Sequence, residues 1–229
     1  MRKFLVVLVF LLILLAVADR GLHYAAQSEI AKRVGAQYEM SSEPEVSIGG
    51  FPFLTQAVGG TYSEISIVTG AMVANDVQLE RVDVTARNVH APLSALMSEP
   101  SAVAESADAR VMLPYSELQQ RLPEGIVIET EDGEPRMSGD LSMGGFSRPV
   151  SAALEISAEG DTVTVTPTDV RVGDTGTDLG AQVAQRLTVS FQIPRLPFDL
   201  RITGIEALPN GVQVSAEAQD VQLVGGQAQ

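Results

Sequence analysis

The chain has 229 residues, with 15 Lys and Arg against 29 Asp and Glu and a formal net charge of −14. So acidic a chain offers no basic footprint for nucleic acid, and a hydrophobic content of 45 % is too high for a disordered polypeptide. The absence of cysteine excludes disulfides, thiolate metal sites, a cysteine nucleophile and a lipid-modified N-terminal cysteine.

The N-terminus opens with a basic cap, Met1-Arg2-Lys3. Residues 4–15 are unbroken apolar sequence, and Ala16-Val17-Ala18 places small residues before Asp19. That is the pattern of a secretory signal peptide over residues 1–18, cut after Ala18. An uncleaved signal anchor is the alternative. Its apolar stretch, residues 4–18, is shorter than the ~20 residues of a spanning helix, yet no polar region separates it from the cut. Under either reading the basic end stays inside, and residues 19–229 lie outside the cytoplasm as a single domain of the periplasm or cell envelope. Without Arg2 and Lys3 that body carries 13 basic and 29 acidic residues, a net charge of −16.

Residues 19 to about 38 predict a helix, with Leu22, Ala26, Ile30 and Val34 recurring every fourth position. Pro44 interrupts, and Val46 and Ile48 then alternate towards Gly49-Gly50. From there the period is two. Ile65 and Ile67 come first, then Val77, Leu79, Val82 and Val84, with a phase slip near Arg81 that predicts a bulge. Val111 and Leu113, Ile126 and Ile128, and Leu141 and Met143 follow. Next come Val150, Ala152, Leu154 and Ile156 in one run, then Val163 and Val165, and Val170 and Val172. The last runs hold Val189, Phe191 and Ile193, then Leu200 and Ile202, then Val212 and Val214. Turn residues stand between them at Asn75-Asp76, Asp132-Gly133, Glu159-Gly160 and Asn210-Gly211, the last being the strongest hairpin signal because both residues tolerate positive φ. Short helices are expected at 116–122 and 178–187. The expected fold is mostly β with helices, of the α+β class, built on antiparallel sheet. Seven Phe, four Tyr and no Trp are thin filling for so much sheet. Such a sheet either curves around a helix or a cavity, or packs as an ordinary sandwich.

Catalytic chemistry is hard to assemble from these residues. The two histidines, His23 and His90, have no partner at metal-ligand spacing and read as surface or capping residues. No nucleophile elbow of the G-x-S-x-G type occurs, and no two glycines stand at G-x-G spacing, so Gly173, Gly176 and Gly180 do not make a phosphate loop. Glu124, Glu129, Glu131, Asp132 and Glu134 lack the carboxylate ladder of a calcium loop and read as a solvated hairpin tip. No catalytic residue, metal ligand or cofactor is expected, although 29 acids always supply carboxylate pairs for a hydrolase.

Two stretches say more. In the first, Gly50-Phe51-Pro52-Phe53-Leu54-Thr55-Gln56, two rings flank a proline after a double glycine. This is a rigid corner, either plugging one end of the core or forming a lip at the mouth of an apolar cavity. In the second, Ile193-Pro194-Arg195-Leu196-Pro197-Phe198 ends one strand and stiffens the entry to a final hairpin. Arg186, Arg195 and Arg201 gather there, to balance charge or to contact a phosphate.

These stretches carry a resemblance. The export segment, the amphipathic helix, G-F-P-F-L-T-Q with the strand TYSEISIVTG, and the closing RITGIEALPNGVQVSAEAQDVQL resemble the LmeA-like family of actinobacterial exported phospholipid-binding proteins, named for a lipomannan elongation factor. The resemblance implies a tubular lipid-binding (TULIP-like) fold, a strongly curved sheet wrapping helical segments around an apolar cavity. It also implies phospholipid binding in support of envelope lipoglycan synthesis. The candidate lipid contacts are Phe51, Phe53 and Leu54, with Ile65, Ile67, Leu154, Ile156 and Phe198. Arg186, Arg195 and Arg201 are candidate headgroup contacts. The expected partners are phospholipid and membrane-associated envelope biosynthesis proteins. The rival functions are an envelope hydrolase or glycosyltransferase accessory using paired carboxylates, and a structural envelope protein whose apolar sheet docks a partner.

Overall fold

A computed structural model of the protein describes residues 2–36, 39–74, 77–92, 102–120, 125–131, 134–143, 146–159, 162–172, 184–185, 187–192 and 200–224. The first half of the chain holds α1 (Arg2–Gly35), β1 (Glu39–Met40), β2 (Glu45–Ile48), α2 (Phe53–Gly59), β3 (Thr61–Thr69), β4 (Met72–Ala74), β5 (Val77–Leu79), β6 (Arg81–His90) and β7 (Ala102–Pro114). The second holds α3 (Tyr115–Gln119), β8 (Ile126–Glu131), β9 (Glu134–Met143), β10 (Phe146–Glu159), β11 (Thr162–Val172), β12 (Val189–Gln192), β13 (Arg201–Leu208) and β14 (Gly211–Val224). The protein is mostly β with a few helices, as the period-two runs predict, and among the described residues no sheet closes into a barrel. The chain groups into two compact units. The first is Met1–Gly70, Asp83–Asp108 and Ala218–Gln229, and the second is Ala71–Val82 and Ala109–Glu217.

In the first unit the apolar segment and the amphipathic segment form one helix, α1, unbroken from Arg2 to Gly35. Residues 4–18 are exposed along its whole N-terminal half. The buried positions are Asp19, His23 and Ala31. The expected stripe through Leu22 is therefore displaced by one residue, and Leu22 is 51 % exposed. The helix presents an acid and an imidazole to the protein because hydrogen-bond acceptors and donors await them there. The strand order is β2-β3-β6-β7-β14, the last two contributing part of their length. Antiparallel pairing sets Val46 opposite Ile67 and Ile48 opposite Ile65. On β6 and β7, Ala86, Ala102, Ala104 and Ala107 are buried.

The second unit contains a five-stranded antiparallel sheet in the order β12-β11-β10-β9-β8. Alternation puts Val150, Ala152 and Leu154 of β10 on one face, where they pack with Ile126, Ile128, Met137, Val165 and Val172 and with Tyr115 and Leu118 of α3. One extra residue in β11 lies between the pairs Ser151–Arg171 and Ala153–Thr168, and Asp169 there has φ +49°. This bulge explains why the inward valines switch from odd to even positions between Val165 and Val172.

Several sequence expectations shift in detail. The slip near Arg81 is a break between β5 and β6 rather than a bulge within one strand. At the break, the Glu80 amide donates to the Met112 carbonyl at 2.9 Å. The final hairpin forms, but Leu208 pairs with Gly211, so its two-residue loop is Pro209-Asn210 and neither Asn210 nor Gly211 has positive φ. The fixed negative φ of proline excludes the primed turns that an Asn-Gly loop would take. The helix expected at 116–122 is α3, one residue earlier, with 121–124 outside the described residues. Most of the helix expected at 178–187 and the turns at Asn75-Asp76 and Asp132-Gly133 also lie outside them.

Candidate functional site

The corner at residues 50–56 follows β2 directly. Gly50 has φ +88°, which a side chain resists. A cis Phe51-Pro52 peptide follows, and α2 begins at Phe53. Gln56 staples the loop with its side chain. Its Nε2 donates to the Gly49 carbonyl at 3.0 Å, while its Oε1 accepts from the Ser63 amide at 2.9 Å and the Ser63 hydroxyl at 3.1 Å. Gly60 closes α2 in the left-handed region, at φ +71°, its amide donating to the Gln56 carbonyl at 2.7 Å. A side chain at Gly60 would also meet Pro92.

Helix α1 holds this corner by two polar contacts. Pro52, at the N-cap of α2, has no side-chain oxygen to offer the first turn. Asp19 supplies one instead: its Oδ1 accepts from the Leu54 amide at 2.7 Å. One turn further along α1, His23 Nε2 donates to the Ile48 carbonyl at 2.8 Å. Because a carbonyl only accepts, this fixes the imidazole proton on Nε2. Asp19 Oδ2 and His23 Nδ1 are buried with no hydrogen-bond partner among the described residues. The Phe53 ring lies 5.5 Å from His23 and 6.1 Å from Tyr62, centroid to centroid. Burial pushes the Tyr62 phenol above its ordinary pKa. Phe51 faces the other way. It is 65 % exposed, and the Arg20 guanidinium sits 4.9 Å from its ring centroid.

The two rings of the motif thus part company: Phe53 plugs the corner and Phe51 stands outside it. Leu54, the residue after Phe53, is half-buried. Ile65 and Ile67 are half-buried on β3 in the same unit. Leu154 and Ile156 belong to the second unit, Leu154 in its aliphatic cluster and Ile156 packed against it. Arg201 is exposed on β13 opposite Glu217. Phe198, Arg186 and Arg195 lie outside the described residues. The structure brings Phe51, Phe53 and Leu54 together at one corner of the first unit.

Asp19 and His23 were not among the sequence candidates, and His23 is buried rather than the surface or capping residue expected. The available signal was their i, i+4 spacing on a helix, just past an apolar segment. His90 is exposed, with Nδ1 3.3 Å from the Thr61 hydroxyl. Among the described residues no group of three His, Asp or Glu could hold a metal. The second unit carries an open groove of about 550 Å³, lined by Ser138, Gly139, Asp140, Pro149, Val150, Ser151 and Arg171. Asp140 and Arg171 bring one acid and one base to its lining. In the same unit Tyr115 donates its hydroxyl to the Leu208 carbonyl at 2.7 Å, and burial raises its phenol pKa too.

A mostly antiparallel-β protein with an N-terminal helix long and apolar enough to cross a membrane, and in the same unit an aromatic corner held by that helix, is the class these features define. The chain belongs to the LmeA-like phospholipid-binding family, whose profile matches residues 17–217. The match begins two residues before Asp19, so it takes in the docked half of α1 and leaves out most of the apolar half. Comparison with curated proteins and with solved structures gives no match.

Proposed function

We propose that this protein is an exported, non-enzymatic phospholipid-binding protein, acting at the outer face of the membrane in cell-envelope lipid or lipoglycan (lipomannan) synthesis. The family match over residues 17–217 carries the reading. Residues 1–18 serve as signal peptide or anchor, a role that fits a helix long and apolar enough to cross a membrane. Residues 19–229 act as one lipid-binding body in which curved sheet and helical segments enclose the acyl chains in a TULIP-like manner. Its partners are phospholipid and membrane-associated envelope biosynthesis proteins.

Charge supports acyl burial over surface attraction. A body of net charge −16 repels an anionic bilayer, so affinity has to come from hidden methylenes, each contributing about 0.8 kcal/mol. Phe53, Leu54, Ile65, Ile67, Leu154, Ile156 and Phe198 are the proposed contacts with enclosed chains, Phe51 a proposed lipid contact on the exposed side of the corner, and Arg186, Arg195 and Arg201 the headgroup contacts. Native mass spectrometry of the full chain from its own host is the test. Stoichiometric phospholipid on the protein is expected, and lipid-free protein overturns the reading. Leu154→Trp separates a cavity from a filled core. Loss of lipid with the fold retained marks a cavity, whereas overpacking a filled core costs roughly 1–3 kcal/mol.

A further inference from the structure

We infer that the corner bearing Phe51 is a bilayer-contact surface: in the anchored full chain, Phe51 and Arg20 sit in the lipid headgroup layer beside α1. The inference rests on the anchor reading above and adds where the body meets the membrane.

The first buried position on α1 follows the apolar segment directly. Residues 4–18 are exposed, and Asp19, the next residue, is 2 % exposed. Two contacts then fix the corner at that level. Asp19 holds the Leu54 amide, and Arg20 covers the Phe51 ring. At a rise of about 1.5 Å per residue, Arg20, Leu22 and Tyr24 all lie within about 10 Å of the end of the apolar segment. The headgroup layer is of similar thickness, roughly 5–8 Å on each side of the hydrocarbon.

Length draws the corner inwards. Residues 4–18 make a helical rod of roughly 22 Å, against a hydrocarbon core of about 30 Å. The shortfall is met by thinning the bilayer or by pulling flanking residues into the interface. On the body side those flanking residues are Arg20, Leu22 and Tyr24, and Phe51 comes with Arg20.

The chemistry suits a lipid surface. Leu22, Tyr24 and Phe51 are all more than half exposed, which is costly in water and favourable at a bilayer boundary. The segment from Gly49 to Ser63 has no charged residue, in a chain with 29 acids. Arg20 adds a cation where phosphates lie.

The chain contains no tryptophan, so Phe51→Trp introduces a single reporter at an exposed position. The full-length variant, its fold checked by circular dichroism, is reconstituted into phosphatidylcholine vesicles and floated on a density gradient. The expected result is co-flotation, a blue-shifted Trp emission shielded from acrylamide, and strong quenching by phosphatidylcholine brominated near the glycerol end of its chains. Failure to float overturns both the anchor reading and this inference. Flotation with water-like, acrylamide-accessible emission overturns the inference alone. Quenching that persists when protein pre-loaded with brominated lipid is moved to unlabelled vesicles also overturns it, by placing Phe51 at the mouth of a lipid cavity.

Discussion

In the first unit many of the buried side chains are alanines, among them Ala86, Ala102, Ala104 and Ala107, beside Val46, Ile48, Val89 and Val221, the rings of Phe53 and Tyr62, and the polar Asp19, His23 and Thr69. In the second, Glu117 apart, they are mainly branched aliphatics around Met137 and Leu154, with Tyr115 and Leu118 of α3. The first unit has less side-chain volume to lose, so it depends more on alanine faces that let elements approach and on hydrogen bonds that set their position. The second depends on volume. The same kind of substitution should therefore have different consequences in the two.

The largest effect is expected in the volume-filled unit. Leu154→Ala, at a position 8 % exposed, should cost about 2–5 kcal/mol in denaturant unfolding and speed amide exchange in β10 and β11. A loss below 1 kcal/mol would show that the face is not packed. In the first unit Asp19→Ala leaves the Leu54 amide without its acceptor and should cost about 1–3 kcal/mol. Asp19→Asn keeps an oxygen there and should recover most of that loss. Equal protection of the Leu54 amide in all three proteins would break the contrast between the units.

Alkaline pH probes one tyrosine in each unit. Burial raises the folded pKa of both Tyr62 and Tyr115 above the ordinary value of 10.0. The unfolded chain then releases its phenol protons first. Stability contributed by the buried phenols is complete below pH 10 and is lost as pH rises through the raised folded values. Denaturation midpoints followed beside phenolate absorbance should show this decline, and Tyr62→Phe and Tyr115→Phe should each blunt it. The smallest effect belongs to the surface. Arg87 pairs with Asp108 and, at 3.8 Å, with Glu64, all substantially exposed. Arg87→Ala should cost less than about 1 kcal/mol and less still in high salt.

Strand content was legible because alternation is a local property. Val150, Ala152 and Leu154 share a buried face for the reason the pattern implies. The docked face of α1 was not legible, since choosing Asp19 and His23 over Leu22 depends on the Leu54 amide and the Ile48 carbonyl, which arrive from distant sequence. The rigid corner could be read from two rings around a proline. Which ring faces inwards could not, because His23 and Tyr62 decide it. The hairpin at Asn210 was visible in composition, but the loop moved back by one residue because Pro209 occupies its first position.

The first unit is stitched from three separated stretches of chain, the last beginning at Ala218. Synthesis delivers a polypeptide from its N-terminus, so α1 and the corner are present long before their closing strand segment. The second unit has all its residues once Glu217 has appeared. The order of completion is thus opposite to the order of emergence, and the unit that holds α1 is the last to be completed. Distant pairings of this kind are slow to form and leave apolar surface open meanwhile. Refolding followed from both ends should find β10 and β11 protected first and β3 last.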